Sequence, residues 1–258
     1  MIKIVALLTD FGIKDHYVGV VKARILKELK KSFNINFVDI THEIPHQDIR
    51  KAALSLYFSY KYFPEGTIFL AIVDPGVGTE RKAVVIKTKE YIFIGPDNGL
   101  FSLIYTENPD FSAFEIIKEK VLKPPYSSTF HGRDLFAPAV AYILDEVPFG
   151  EFLKPLSQET LKKLNFPFPK KTSKGYRLSV WYVDQFGNIV TNFHQKMIEK
   201  PFKVLVNKKE VPLVKSYGYA KKGELVALFG SEGLLEIAIR EGSASETLLN
   251  SEIEIILE

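Results

Sequence analysis

The spacing of hydrophobic residues predicts alternating strands and helices in the first part of the chain. Ile2–Thr9 is a continuous apolar segment, typical of a strand buried on both faces, Ile35–Ile40 is predicted as a second strand, and Thr67–Val73 is predicted as a third, buried strand. Between them, Tyr17–Lys31 and Asp48–Phe63 carry apolar residues at helical spacing. This β-α-β-α-β order predicts a mostly parallel sheet with right-handed crossovers.

The same pattern continues with two short strands, Ala83–Thr88 and Tyr91–Ile94, and a helix over Asp134–Glu146. Pro148–Lys174 is rich in proline, glycine and lysine and has only a short helical pattern. Such a composition is typical of a connection between domains. We therefore expect an α/β domain over residues 1–168 that carries the catalytic residues.

Beyond this connection the hydrophobic period changes to two, which is the period of strands with one buried face. Turn residues separate five such segments, which are Tyr176–Val183, Phe202–Val206, Glu224–Leu228, Leu234–Ile239 and Ile253–Leu257. The even spacing predicts a smaller all-β, barrel-like domain over residues 169–258.

Composition excludes several classes of protein. The 34 Lys and Arg residues nearly balance the 31 Asp and Glu residues, and no basic stripe is present, so neither nucleic acid nor a membrane is expected as a partner. The absence of cysteine excludes disulfides, thiolate metal sites and a cysteine nucleophile. The apolar runs are strand-sized and the first residues lack the features of a signal peptide, so we expect a cytoplasmic protein without a transmembrane span.

Carboxylates follow or end the first three predicted strands, at Asp10, Asp39 and Asp74, and Asp15 comes close behind Asp10. Ligands of parallel sheets bind beyond the carboxyl ends of the strands, so these side chains are expected to converge on one crevice. Each alone is explained as well by capping a loop or helix. Together, beside a glycine-rich turn, they favour a site.

Asp74–Arg81 contains Pro75, Gly76 and Gly78, which allow a sharp turn close to a ligand. It lacks the Lys-Ser/Thr ending of a phosphate-binding loop, so nucleoside triphosphate binding is rejected. Asp74 and Arg81 can pair across the turn, either as a structural ion pair or as part of a site.

His131 is the candidate for proton transfer. It is expected to lie exposed, with Arg133, just before a helix that Asp134 caps. Pro96–Gly99 is interpreted as a plain turn. His42–His46 matches the H-E-x-x-H zinc pattern, but Pro45 is incompatible with the helix that this zinc site requires, so no metal is expected there.

Polar loops of the β domain supply further candidates. Val183–Asn192 is a hairpin in which Asp184 and Asn188 either make the turn or face a polar ligand. Leu228–Gly233 is a similar loop, and Tyr217 can stack on an aromatic ring.

Seven ordered segments together resemble the S-adenosylmethionine (SAM) hydroxide adenosyltransferases, the adenosine-forming SAM hydrolases related to fluorinases and chlorinases. The segments are LLTDFGIKDHYVG, THEIP, FPEGTIFLAIVDPGVGTERK, IGPDNGL, TFHGRDLFAPAVA, VDQFGNIVTN and SEGLLEIA. The resemblance covers nearly the whole chain. It implies a homotrimer whose ligand lies between the α/β domain of one subunit and the β domain of its neighbour.

The resemblance also implies roles for individual residues. The family's Asp-Arg-His triad corresponds to Asp74, Arg81 and His131. Substrate-binding positions correspond to Asp10 for ribose, Asn188 and Tyr217 for adenine, Asp184 and Ser231 for methionine, and, more loosely, Asp15 and Glu232.

The chain departs from the halogenases where they hold a halide, because Asp74 and Val77 occupy that position. A carboxylate about 4 Å from a halide opposes it by roughly 4 kcal/mol at an effective dielectric of 20. The resemblance therefore implies that water attacks SAM to give adenosine and methionine, without cofactor or metal. The alternatives are a halogenase-like transferase and a non-catalytic adenosine or SAM binding protein. Whether Asp74 or His131 accepts the proton stays open.

Overall fold

The computed structural model describes residues 2–258. The chain forms two compact units, of which the first ends at Leu164 and the second covers Asn165–Glu258. The first unit is built on one sheet of seven strands, and the second has two antiparallel sheets. Among the described residues, no helix is both long and apolar enough to cross a membrane.

The sheet of the first unit has the strand order β2-β1-β3-β5-β4-β6-β7. β4 and β7 run opposite to the other five strands, so the predicted α/β class with a mostly parallel sheet is confirmed. The strands are β1 (Ile2–Thr9), β2 (Asn34–Thr41), β3 (Ile68–Ile72), β4 (Ala83–Lys87), β5 (Ile92–Pro96), β6 (Ser112–Ile116) and β7 (Leu153–Leu156).

Helices cover both faces of this sheet, because alternate residues of its strands point to opposite sides. Leu7 and Leu70 belong to one buried core, and Leu8 and Phe69 belong to the other. The helices are α1 (Tyr17–Glu28), α2 (Ile49–Ser59), α3 (Ser102–Glu107), α4 (Lys118–Val121), α5 (Ala137–Leu144) and α6 (Phe149–Phe152). Asp48 caps α2 as predicted, since its Oδ1 accepts a hydrogen bond from the Lys51 N–H at 2.8 Å.

The second unit is the predicted smaller all-β domain. Its sheets have the orders β10-β11-β15-β14 and β13-β12-β16-β9-β8, and one hydrophobic core, with Phe193, Val204 and Leu235, joins them. The elements are β8 (Lys170–Lys171), β9 (Gly175–Arg177), β10 (Val180–Val183), β11 (Ile189–His194), β12 (Phe202–Val206), β13 (Lys209–Val211), β14 (Leu225–Phe229), β15 (Leu234–Ile239), α7 (Ser245–Leu248) and β16 (Ile253–Leu257).

The beginning of the predicted connection belongs to the first sheet, so the interpretation of Pro148–Lys174 as a connection is wrong there. β7 pairs with β6, with Leu153 opposite Ile116. Neither strand was predicted from the sequence. Both lie at one side of the sheet, are four or five residues long and include exposed positions, so neither gives a continuous apolar run.

Candidate active site

The first three strands of the sheet bring their carboxyl ends to the same edge. β1 lies between β2 and β3 and runs parallel to both, which creates the crevice where ligands of α/β sheets bind. Asp10 directly follows β1, and Asp74 lies two residues beyond β3. Asp39, in contrast, lies within β2 and pairs with Lys22 at 2.7 Å, so the expected convergence of three carboxylates holds for two of them.

Asp74, Arg81 and His131 form one hydrogen-bonded group. The Arg81 guanidinium donates from Nε to Asp74 Oδ1 at 3.1 Å and from Nη2 to Asp74 Oδ2 at 2.5 Å. The same Nη2 lies 3.2 Å from His131 Nδ1. Both members of the ion pair are nearly buried, with side chains 6% and 7% exposed. A two-point pair in this setting holds the Asp74 carboxylate in one orientation.

The contact with Arg81 determines which nitrogen of His131 carries the proton. Arginine has only donors, so His131 Nδ1 must accept from Nη2. A neutral imidazole that accepts at Nδ1 carries its proton on Nε2. Burial, followed by the positive charges of Arg81 and Lys118, lowers the pKa of His131, which favours this neutral form. His131 is therefore a donor at Nε2 in the resting site.

Asp74 has the opposite electrostatic setting. Burial raises its pKa, and the charge and hydrogen bonds of Arg81 offset only part of that rise. A carboxylate with a raised pKa is a stronger base than an ordinary one. Among the three groups, Asp74 is thus the one with free lone pairs and an enhanced affinity for a proton.

A π-helical turn, Gly132–Phe136, positions His131 and also supports Arg81. His131 is the residue just before the turn, and the Phe136 ring lies 5.3 Å from the Arg81 guanidinium carbon. Such turns are rare and occur frequently at functional sites. The prediction that His131 is exposed is wrong, because the residue is 5% exposed.

Asp134 does not cap the following helix, which corrects the prediction from the sequence. It lies inside the π-helical turn, accepts a hydrogen bond from the Ser127 N–H at 2.8 Å and pairs with Arg133 at 2.7 Å. These contacts instead hold the segment that leads to His131. At its other side this segment touches the Asp74–Arg81 loop, since a Cβ on Gly78 would lie 2.6 Å from the Ser128 carbonyl oxygen.

Asp10, Asp74 and His131 line one cavity of about 410 Å³. Asp10 Oδ2 accepts a hydrogen bond from the Gln47 N–H at 3.0 Å. His42 holds the start of this loop, with Nδ1 2.8 Å from Thr9 Oγ1 and its carbonyl accepting from Gly12. The cavity therefore presents one carboxylate beside a backbone loop and a second within the group formed with Arg81 and His131.

Aromatic side chains that the sequence analysis did not assign form part of the cavity wall. Phe11, Tyr17 and Phe130 contact one another edge to face, with ring centroids 5.3 to 6.1 Å apart. Phe11 and Phe130 are each the neighbour of a candidate, Asp10 and His131. Their position next to these candidates was the only signal in the sequence that the two rings belong to the site. The direction in which each ring points depends on the fold.

The Pro96–Gly99 turn forms hydrogen bonds with the backbone on both sides of the Asp74–Arg81 loop. Its interpretation as a plain turn did not predict these contacts. Asn98 Nδ2 donates to the Val73 carbonyl at 2.8 Å, immediately before Asp74. The Asp97 N–H donates at 2.9 Å to the Lys82 carbonyl, which also accepts from Arg81 Nη1 at 3.2 Å. Asn98 is thus placed to hold the backbone that carries Asp74.

The second unit contains a separate cavity of about 570 Å³, which Asn188 and Tyr217 line. Arg240 and Gly242, which were not assigned from the sequence, line it as well. Asp184 makes the hairpin turn, since its Oδ1 accepts from the backbone of Phe186 and Asn188, both at 2.9 Å. Asp184 therefore stabilises the hairpin turn, and the same hairpin places Asn188 at the cavity.

Four predicted substrate-binding residues lie outside the lining of these cavities, namely Asp15, Asp184, Ser231 and Glu232. Asp15 is exposed on the loop after β1. Ser231 donates to Glu232 at 2.5 Å within the loop between β14 and β15. Their proposed contacts with substrate stay predictions.

His42–Glu43–Ile44–Pro45–His46 is not helical, as Pro45 predicts. The two imidazoles have different surroundings, since the side chain of His42 is 4% exposed and that of His46 is 83% exposed. Within residues 2–258, no three His, Cys, Asp or Glu side chains group as metal ligands do.

Two family models match the chain, one in each of its two units. The models of the SAM hydroxide adenosyltransferase N-terminal and C-terminal domains match residues 5–152 and 178–252. The chain belongs to this family, which confirms the resemblance seen in its motifs.

Individual relatives are similar over nearly their whole length. A protein of Thermus thermophilus named (R)-S-adenosyl-L-methionine hydrolase is 39% identical over 93% of both chains. One of the same name from Methanocaldococcus jannaschii is 37% identical over 99% of this chain and 97% of its own. A crystal structure of an uncharacterized conserved protein from Thermotoga maritima aligns with a TM-score of 0.84 and 37% identity, covering 97% of this chain and 99% of that one.

Proposed function

We propose that this protein is an (R)-S-adenosyl-L-methionine hydrolase, which uses water to convert SAM into adenosine and L-methionine. The observation that carries this proposal is the Asp74–Arg81–His131 group at the wall of the cavity that also contains Asp10. Relatives that share 37–39% of their residues with the chain carry that name. The R configuration at sulfur comes from these names and was not a prediction from the sequence.

In the proposed reaction, a water oxygen attacks the ribose C5′ in line with the sulfonium. The C5′–O bond forms while the C5′–S bond breaks, and its electron pair converts the sulfonium into the thioether of methionine. The leaving group departs neutral at sulfur, so it needs no acid. The difficult component is the nucleophile, because free water has a pKa of about 15.7.

We propose that Asp74 accepts the proton of the attacking water. His131 Nδ1 already accepts from Arg81, so the imidazole is not available as a base without breaking that contact. Arg81 holds the Asp74 carboxylate at two points and stabilises negative charge that develops on the water oxygen. After the products leave, Asp74 returns the proton to solvent.

Asp10 is proposed to bind the ribose hydroxyls and thereby hold C5′ in line with the water. Its loop is fixed by the bonds from Gln47 to Asp10 and from Thr9 to His42. A substrate held in this way loses its freedom before the reaction, which supplies several kcal/mol of the barrier reduction.

The carboxylate of Asp74 also argues against a halide as nucleophile. An anion beside an unpaired carboxylate meets roughly 4 kcal/mol of repulsion at about 4 Å and an effective dielectric of 20, and the positive charge of Arg81, paired with Asp74, reduces this value. Water carries no charge and meets no such penalty.

We further propose a cytoplasmic homotrimer without cofactor or metal, in which two copies of the chain together bind one substrate molecule. In support, the candidate catalytic residues Asp74 and His131 line one cavity, and the candidate adenine-binding residues Asn188 and Tyr217 line another. Light scattering would give the number of copies, and activity in the presence of a chelator would test independence from metal.

The decisive experiment incubates the protein with each sulfur epimer of SAM, with and without chloride, in water enriched in oxygen-18. The expected products are methionine and adenosine labelled at its 5′ oxygen, formed faster from the R epimer. A 5′-chloro nucleoside formed in chloride would identify a halogenase-like transferase. Bound ligand without product would identify a binding protein.

A further inference from the structure

Glu236 is a buried carboxylate within the SEGLLEIA segment, and neither the sequence motifs nor the proposed mechanism assigns it a role. It lies on β15 and is 6% exposed. Its Oε2 accepts a short hydrogen bond from the hydroxyl of Tyr217. Tyr217 lines the 570 Å³ cavity of the second unit, so Glu236 acts on this cavity from behind its wall.

A chain of hydrogen bonds leads from Glu236 to Asn188. Because the Tyr217 hydroxyl gives its hydrogen to Glu236, its oxygen is left to accept, and Asn188 Nδ2 donates to it at 3.3 Å. The second hydrogen of Nδ2 goes to Asp184 Oδ2 at 2.8 Å. Both hydrogens of the amide are therefore used, and Oδ1 is its only group left for a ligand.

The opposite orientation of the Asn188 amide is disfavoured at both contacts. It would place Oδ1 against the Asp184 carboxylate, where two acceptors repel. It would also place Oδ1 against the Tyr217 oxygen, whose hydrogen is held by Glu236. Burial and the bond to Glu236 raise the pKa of Tyr217, so its hydroxyl stays protonated and continues to donate.

We propose that Glu236 is a positioning residue that, through Tyr217, makes Asn188 present only an acceptor to the cavity and so selects a 6-amino purine over a 6-oxo purine. This inference rests on the proposed function, in which the cavity binds the base of SAM. An exocyclic amine donates to Asn188 Oδ1, whereas a 6-oxo group faces it with a second acceptor. A buried polar group left unpaired in this way reduces binding strongly.

The loop on the other side of Glu236 leaves its carboxylate little freedom. A Cβ on Gly230 would lie 1.9 Å from Glu236 Oε1, so only glycine fits at this position with the carboxylate in place. Gly230→Ala therefore displaces Glu236 without changing Tyr217, Asn188 or Asp184. It provides a second, independent perturbation of the same chain of hydrogen bonds.

The test compares adenosine with inosine in calorimetric binding, and SAM with its deaminated 6-oxo analogue in turnover. The variants are Glu236→Leu, Glu236→Gln and Tyr217→Phe, with Glu210→Gln on exposed β13 as the control. We expect Glu236→Leu and Tyr217→Phe to reduce the preference for the amino compound at least tenfold, mainly through KM. Glu236→Gln, which keeps an acceptor for Tyr217, should retain most of the preference, and the control all of it.

An unchanged preference in folded Glu236→Leu would overturn the proposal. If that variant does not fold, Tyr217→Phe and Gly230→Ala decide in the same way, because each keeps the Glu236 side chain. If the wild type binds adenosine over inosine but does not hydrolyse SAM, the proposed function is wrong. The role of Glu236 is then tested by nucleoside binding to the variants alone. Equal binding of both nucleosides by the wild type would overturn the inference about Glu236 alone.

Discussion

Replacing Asp74 by asparagine and His131 by glutamine separates the two candidates for the proton acceptor. Asparagine has nearly the shape of aspartate but cannot accept the proton, and a positioned general base contributes about 10²–10⁴ in rate. This corresponds to roughly 2.7–5.4 kcal/mol in the barrier at about 1.36 kcal/mol for each factor of ten. We expect kcat of Asp74→Asn to fall by this amount.

His131→Gln should cost much less. The side chain makes one contact within the group, from Arg81 Nη2 to Nδ1 at 3.2 Å, and a glutamine carbonyl can accept the same hydrogen bond. Loss of one such bond is worth about 1 kcal/mol, or roughly fivefold in rate.

The assay follows adenosine by chromatography at saturating SAM, with adenosine affinity and thermal unfolding measured to confirm that each variant is folded and binds. If His131→Gln loses as much kcat as Asp74→Asn while binding normally, the assignment of the proton to Asp74 is wrong. The imidazole would then be the base, and its contact with Arg81 would have to open during the reaction.

Four further outcomes are expected. Activity should fall with decreasing pH as the proposed base Asp74 becomes protonated, and because burial raises the pKa of Asp74, a pH profile of kcat should show this fall at a higher pH than for an ordinary aspartate. Between the lowered pKa of His131 and about 6.5, the folded protein binds fewer protons at His131 than the unfolded chain does, so the free energy of unfolding should rise with pH in this window. Urea titrations at several pH values should show that the free energy of unfolding depends on pH differently in wild type and in His131→Gln. Asn98→Ala, which frees the Val73 carbonyl, should reduce kcat roughly tenfold with KM nearly unchanged; an equal change in Lys89→Ala, at an exposed position beyond the other end of β5, would count against a specific role. Asp10→Asn should raise KM for SAM at least tenfold and affect kcat less, as steady-state kinetics would show, and an unchanged KM would remove Asp10 from the ribose site.

Local pattern was sufficient for much of the fold. The hydrophobic pattern predicted β1, β2 and β3 to within one residue at each end, and the capping carboxylate of Asp48 marked the start of α2. These features depend on the spacing of apolar residues and on contacts between residues three or four positions apart, and both are visible in the sequence.

β6 and β7 were not predictable in the same way. Both are short, and their pairing partners lie far away in the chain. β7 is the edge strand, and both strands include exposed positions, so their sequences differ little from those of loops. β7 was therefore assigned to the proline-rich start of the predicted connection.

The chemistry-bearing motifs by themselves determined the family and predicted Asp74, Arg81 and His131 as catalytic candidates, because each motif is a short local run of residues. Only the tertiary structure decided that His131 is buried, that its Nδ1 accepts from Arg81, that Asp134 holds the Ser127 segment instead of capping a helix, and that Glu236 lies behind Tyr217. The bonds from Arg81 to His131 and from Tyr217 to Glu236 span 50 and 19 residues, and backbone packing sets such distances. A hydrogen bond between distant residues leaves no period in the sequence, so proton positions and amide orientations follow only from the folded chain.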